Sequence, residues 1–380
     1  MNKIEKVSSY DAKNTKEVFF AFNSTPEETF EAEARLLMSQ YNSLMRQNKC
    51  NKKSEIMVRF HLSDVANQVP ILQNIIGIRT AFVSFIGQPP INGSRLSFEA
   101  YHITNNEKLD KKIDDDPDKT HQLDALLKNY QLFWHCCREL KPGNSFEQTD
   151  QECKILNNAL MIRNGTFKDN CLRTWVFVRD IDNNYNGMVK ARREYFNTIG
   201  MKKSTHYIAS TGIEGQCYAP HRLIGLDALC IFGIQKSQVE FMQAITHMPP
   251  TISYGVTFER GTRLIYGDRS HYYISGTASI DSDGNIMYQS DVIAQTHRMI
   301  DNIEALLKNH GSNLQDLKTA TIYIRDNADG SIVQRELDMI LPDTLPRTIV
   351  CAPVCRPGWL IEMEGIAVNA NGNENFKDFV

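Results

Sequence analysis

The sequence predicts an α+β protein made of three tandem β-α-β-α-β-β units that pack as a pseudo-trimer. Three observations carry this. The 380 residues amount to about two to four ordinary domains. The same order of alternating apolar strands and striped helices occurs three times. In every copy the third element runs into a polar turn, at Ser63-Asp64, Arg179-Asp180 and Arg325-Asp326. The expected units are 1–115, 120–240 and 241–380.

In the first copy, Val18-Phe-Phe-Ala-Phe22 is a strand. Thr25-Pro26-Glu27-Glu28 opens a helix, with Thr25 as N-cap, Pro26 in the first position and Glu28 at N3. Phe30, Ala34, Leu37, Tyr41 and Leu44 form its apolar stripe. Residues 57–64, 79–84 and 95–103 supply the remaining strands. The second copy runs from a strand at 131–136 to a helix at about 148–163. It continues with a strand at 173–180, a helix at 187–196 and strands at 205–209 and 223–231. The third copy is the clearest. A strand over 271–280 ends in the turn Asp281-Ser-Asp-Gly284. The helix from Asp291 to Asn309 sets Ile293, Thr296, Ile300, Ile303 and Leu307 on one stripe and stops at His310-Gly311. A strand at 319–326, a helix carrying Ile332, Leu337 and Ile340, and strands at 347–352 and 359–368 close the unit. The segment 105–119 reads as a charged, exposed linker. The join at 237–250 ends in the stiff pair Pro249-Pro250.

Composition narrows the function. Lys and Arg number 42 against 45 Asp and Glu, a net charge of −3. This removes the bulk attraction that nucleic acid or an anionic membrane would need. No segment approaches the roughly 20 apolar residues of a bilayer span. Residues 1–6 turn polar without a signal-peptide core, so a cytoplasmic location is expected. The nine cysteines are an odd number at irregular spacing and read as reduced. The ten histidines are scattered without metal-ligand spacing. No phosphate loop, dinucleotide fingerprint or Gly-x-Ser-x-Gly elbow occurs. The expectation is that no cofactor and no metal is used.

Tyr273-Ile-Ser-Gly-Thr277, the helix after Asp291, Thr321-Ile-Tyr-Ile-Arg-Asp326, Pro346-Arg347-Thr348 and Leu360-Ile-Glu-Met-Glu-Gly-Ile-Ala-Val368 occur in order. Together they resemble the Rid superfamily, the RidA/YjgF imine deaminases, whose units have a chorismate-mutase-like fold and form homotrimers with ligand clefts between subunits. Arg173-Thr-Trp-Val-Phe177, Tyr195-Phe196 and Ser253-Tyr-Gly-Val-Thr-Phe-Glu-Arg260, placed ahead of that block, are similar to the layout of the chorismatases. The resemblance implies that Arg347 grips a substrate carboxylate and that Glu362 handles a proton or orients water. A guanidinium fork suits a planar carboxylate, and a shielded carboxyl can hold its proton near neutral pH.

The copies differ at these positions. The second has Gly225 where the third has Glu362, and Lys203-Ser204-Thr205 in place of the arginine. The first keeps Arg79 but has Ser97 opposite Glu362 and Glu99 opposite Glu364. One main site, in the third copy, is therefore expected. Glu362 and Glu364 are two apart on a strand and face one side, which is a cleft or solvent. Arg347 either binds substrate or makes a structural ion pair. The further candidates for substrate binding are Glu364, Arg260, Tyr254, and Ser275 with Gly276, whose backbone amides are candidate donors. Arg325-Asp326 reads as turn structure, and Trp134, Trp175 and Trp359 as core or interface. The leading reading is a metal-free hydrolase of a small-molecule carboxylate, chorismatase-like, releasing pyruvate from an enolpyruvyl ether. A RidA-like enamine or imine deaminase is the alternative, and a non-catalytic ligand-binding or regulatory protein the third reading. A chain that supplies all three walls is expected to be a monomer or loose dimer, with neither nucleic acid nor membrane as partner.

Overall fold

The computed structural model describes residues 6–13, 15–104, 109–116 and 119–380. The first unit holds β1 (Val7–Ala12), β2 (Thr15–Asn23), α1 (Phe30–Gln47), β3 (Glu55–Leu62), α2 (Val65–Ile76), β4 (Phe82–Gly87) and β5 (Leu96–Thr104). The second holds β6 (Asp110–Asp116), β7 (Thr120–Leu126), β8 (Gln131–Cys137), α3 (Ser145–Ile162), α4 (Phe167–Asn170), β9 (Cys171–Val178), α5 (Ile181–Thr198), β10 (Ala209–Glu214) and β11 (Ile224–Phe232). The third holds β12 (Val239–Phe241), β13 (Gly261–Ile265), β14 (Ser270–Ala278), α6 (Val292–Asn309), β15 (Leu317–Ile324), α7 (Gly330–Ile340), β16 (Arg347–Cys351) and β17 (Ile361–Asn369).

The three sheets share one four-strand order: β2-β5-β3-β4, β8-β11-β9-β10 and β14-β17-β15-β16. In each, the strand that comes last in the chain lies second in this spatial order, and the strand in the fourth place, β4, β10 or β16, pairs in parallel with the one in the third. Alternation along the strands splits the side chains between two faces. In the first unit Val18, Phe20, Phe22, Val58 and Phe60 pack under α1 and α2. Phe19, Met57 and Tyr101 face the other way, into a core shared with Trp134, Trp175 and Tyr273 of the other units.

Several boundaries differ from the sequence reading. The N-cap of α1 is Thr29, whose hydroxyl accepts from the Ala32 amide at 3.2 Å, so Thr25-Pro26 precedes the helix. The fourth strand of the second unit starts at Ala209, because the Thr205 hydroxyl donates to the carbonyls of Gly200 and Lys202 and holds a local turn. Asp110–Asp116, within the segment read as linker, is strand β6, paired with β7 on the second sheet. Its charges sit on an edge strand, where they discourage further pairing. In the second join, Val239–Phe241 is strand β12, paired with β13. Residues 1–5, 105–108, 117 and 118, which also entered that reading, lie outside the described residues.

The units pack in a cycle. The ends of the fourth strands meet through the bridges Gly87 to Gln216, Pro90 to Val350 and Ile213 to Val354. Polar side chains follow the same cycle at one register position. Glu99, Asp227 and Glu364 stand opposite Arg59, Trp175 and Thr321 in their own sheets. Each carboxylate takes a partner from another unit. Asp227 accepts from Arg59 at 2.8 Å, Glu364 from Arg173 at 2.6 Å, and Glu99 from Thr321 at 2.5 Å and Thr348 at 2.9 Å. All of these groups are buried. Removing one partner of a buried pair strands the other charge. Arg59→Met is expected to cost on the order of 3–5 kcal/mol, read as a lowered midpoint in chemical denaturation.

Candidate functional site

The interface between the second and third units encloses a cavity of about 540 Å³. Glu362 on β17 forms part of its floor beside Gly276 on β14. A Cβ on Gly276 would stand 2.0 Å from the Glu362 Oε1, so the missing side chain is what lets the carboxyl lie against the strand. Glu362 is 6% exposed, and among the described residues no group hydrogen-bonds to its carboxyl. Burial pushes its pKa up to about 8, helped by the charge of Glu364 and opposed by Arg173 and Arg260. The carboxyl therefore holds a proton at neutral pH.

The other walls are cationic. Helix α5 points Arg192 into the cavity from the second unit, with Tyr185 and Val189 on the same stripe. Arg192 is 4% exposed; its guanidinium donates to the Ser210 hydroxyl at 3.2 Å, while its Nε has no partner. From the third unit, Arg260 donates to the Pro249 carbonyl at 3.0 Å and lies over the Tyr254 ring at 5.4 Å. Arg356 sits between the Tyr254 and Trp359 rings, at 4.9 and 4.8 Å. Lys190 and Arg193 complete the rim. Among the described residues, none of these five cations pairs with a carboxylate. Lys190 and Arg193 are exposed and Arg356 half-buried, but Arg192 and Arg260 are buried; burying charge without a counter-ion is costly, and an incoming anion removes that cost for these two.

Of the residues named from sequence, Glu362, Gly276, Arg260 and Tyr254 line this cavity. Three do not. Glu364 takes hydrogen bonds from Arg173 at 2.6 Å and the Trp175 indole at 2.6 Å, and one from Thr211, so its acceptors are spent inside the protein. The Ser275 hydroxyl is taken by the Glu259 carbonyl and the Ser210 amide. The amides of Ser275 and Gly276 are not free donors either, since they bond to the Arg260 carbonyl at 3.1 Å and the Thr211 hydroxyl at 2.9 Å.

Arg347 is the larger correction. It points away from Glu362, and its guanidinium donates to Asp338 at 2.5 Å. The cyclic packing is the reason. Ser210 faces Thr174 as Arg347 faces Ala320 and Val83 faces Val58. Those residues in turn face Ala228, Gly365 and Ala100. The true counterparts of Arg347 are therefore Ser210 and Val83, not Thr205 and Arg79, and Arg79 pairs with Glu55 at 2.5 Å. The fourth strand of one unit and the last strand of another build each cleft. Ser210 of the second unit faces the Glu362 cavity, while Arg347 lies toward the first unit, where Thr348 meets Glu99.

Sequence reasoning did not identify Arg192, Arg193, Lys190 and Arg356, nor Trp359 as a cavity wall. For Arg192 a signal existed, because Tyr185, Val189 and Arg192 recur at helical spacing. Arg356 lies in a loop without periodicity. Among the described residues no cluster of His, Cys, Asp and Glu is placed to hold a metal ion, and no helix is long and apolar enough to cross a membrane.

Comparisons with known proteins bear on the fold. Residues 265–369 match the family model described as Endoribonuclease L-PSP. A stretch of 96 residues, 25% of the chain, is 29% identical to 3-aminoacrylate deaminase RutC of Acinetobacter baylyi and covers 76% of that protein. A chorismatase crystal structure aligns over 83% of this chain and 93% of its own, with a TM-score of 0.62 and 17% identity. That likeness extends through all three units and shows the shared fold.

Glu362 gives a testable titration. A carboxyl whose pKa is raised by folding contributes stability that is full below its ordinary value of 4.5 and is lost progressively as pH rises from there through about 8. Glu362→Gln is therefore expected to match the wild type in stability near pH 4, to exceed it at pH 6 and to exceed it most at pH 9, measured by urea denaturation at all three.

Proposed function

We propose that this Rid-superfamily protein, which shares the chorismatase fold, hydrolyses the enolpyruvyl ether of a small dicarboxylate such as chorismate. The observation that carries this is a proton-bearing carboxyl, Glu362, set among five cations with no carboxylate partner. Such a site favours a substrate with more than one negative charge and offers it an acid.

The chemistry follows from those groups. Arg192 and Arg260, on opposite walls, take the carboxylates and fix the substrate in one orientation. Glu362 gives its proton to the enolpyruvyl methylene carbon, which becomes a methyl group. The adjacent carbon is left oxocarbenium-like, and water adds to it. The hemiketal collapses, its ether C–O bond breaks, and pyruvate departs with a ring alcohol that is a cyclohexadiene diol or, after dehydration, a hydroxybenzoate. The proton released by the added water restores the Glu362 acid. Arg173 and Arg260 stabilise the transient carboxylate, and the nearby Glu364 charge favours its reprotonation.

The RutC relative supports a second reading. In it, one cation grips an imino acid and Glu362 positions the water that displaces ammonia. Pyruvate from chorismate and ammonia from a freshly generated imino acid separate the two, and tight binding of either without turnover points to a ligand-binding protein. Because the chain supplies the walls of its own clefts, we also propose that it works as a monomer or loose dimer.

The first reading predicts pyruvate from chorismate in a coupled assay. Glu362→Gln should lower kcat at least about 10²-fold with little change in KM, and the wild-type kcat/KM should decline as pH rises through about 8. Arg192→Ala and Arg260→Ala should raise KM, whereas Arg347→Ala, outside the cavity, should leave it unchanged.

A further inference from the structure

The cyclic packing builds a second cleft, between the first and second units, with a cavity of about 630 Å³. It is the counterpart of the Glu362 cavity, since Val83 on β4 and Gly225 on β11 occupy the positions held there by Ser210 and Glu362. Its chemistry is different. Helix α2 presents Ala66, Val69 and Gln73 where α5 presents Tyr185, Val189 and Arg192. Gly225 supplies no acid, and a Cβ there would stand 2.5 Å from the Cys217 thiol.

Every charge on the lining is already paired. Asp227 is held by Arg59 at 2.8 Å, Arg222 by Glu152 at 2.6 Å, Arg138 by Asp115 at 2.6 Å and His221 by Glu139 at 2.6 Å. An entering ion would meet no free counter-charge. Phe85 and Phe177 supply ring-sized apolar walls. Among the described residues, the lining side chains of Ser84, Gln73 and Tyr218 have no hydrogen-bond partner; Gln73 and Tyr218 are exposed, and Ser84, 3% exposed, is the buried one. A buried polar group without a partner carries a cost that a ligand hydroxyl removes. The volume suits a small organic molecule.

We infer that the cleft between the first and second units is a non-catalytic binding site for an uncharged aromatic molecule carrying a hydroxyl group, which packs on Phe85 and Phe177 and hydrogen-bonds to Ser84. This does not depend on the reaction assigned to the Glu362 cavity. The probe is phenol, neutral at pH 7, with benzoate as the charged control of similar size. Binding is read by saturation-transfer NMR titration of the full chain, and the place by a phenol-soaked crystal. The expected result is saturable phenol binding at this cleft. It should weaken at least tenfold in Ala66→Trp, which closes the mouth from an exposed position on α2, and severalfold in Ser84→Ala. It should be unchanged in Glu362→Gln, and benzoate should not compete. If Ala66→Trp does not fold, Ser84→Ala and the crystal decide alone. Absence of saturable binding, phenol binding indifferent to the cleft variants, density only in the Glu362 cavity, or equal competition by benzoate would overturn the inference.

Discussion

The structure depends on three buried carboxylates that each take a hydrogen-bond partner from another unit, Glu99 in addition to His61 of its own. Glu99, Asp227 and Glu364 occupy one register position and draw their partners from the third, first and second units respectively. A buried carboxylate left alone costs far more than any single apolar contact returns. The requirement therefore fixes which unit neighbours which, and in what direction round the cycle. The shared apolar core, with Phe19, Trp134, Trp175 and Tyr273 in one cluster, supplies the driving force, but a non-directional force does not choose the arrangement.

From that cycle the clefts follow. Each is built from the fourth strand and second helix of one unit and the last strand of another, so one chain makes unequal clefts from related parts. Between the second and third units, Arg192 and Glu362 line one cavity. Between the first and second, small and apolar residues of α2 face Gly225. Toward the first unit from the third, Arg347 turns to Asp338 and Thr348 to Glu99. In a homotrimer of identical units, a substitution changes every cleft at once. A single chain with three units escapes that constraint, and the difference between Glu362, Gly225 and Ser97 at one strand position is its result.

Much of this was legible in the sequence because it follows from local rules. Alternation marked the strands, and matching one strand to another exposed the contrast of Glu362 with Gly225 and Ser97. Thr296, Ile300, Ile303 and Leu307 of the α6 stripe and its end at His310-Gly311 follow from helical spacing and from the positive φ that Gly311 adopts, whereas Ile293 is exposed and Val292 takes the buried place. What was not legible lies across interfaces. Arg347 and Glu362 are close in sequence and on strands of one sheet, with β15 between them, and nothing in their spacing reveals that the cycle sends them to different clefts. The cation that lines the same cavity as Glu362 from the second unit comes instead from α5, about 170 residues upstream in the chain. Glu364 read as a candidate because charge on a strand looks the same whether it faces substrate or, as here, Arg173 and Trp175 of another unit.

The central claim is that the proton from the Glu362 carboxyl goes to the methylene carbon of an enolpyruvyl group. The most direct measurement is the isotopic content of pyruvate formed from chorismate in deuterium oxide, sampled by mass spectrometry before the methyl group exchanges with solvent. Carbon protonation by a solvent-equilibrated acid predicts one deuterium in the methyl group of every pyruvate. Pyruvate without deuterium would mean that its third hydrogen came from the substrate itself, and would contradict the account.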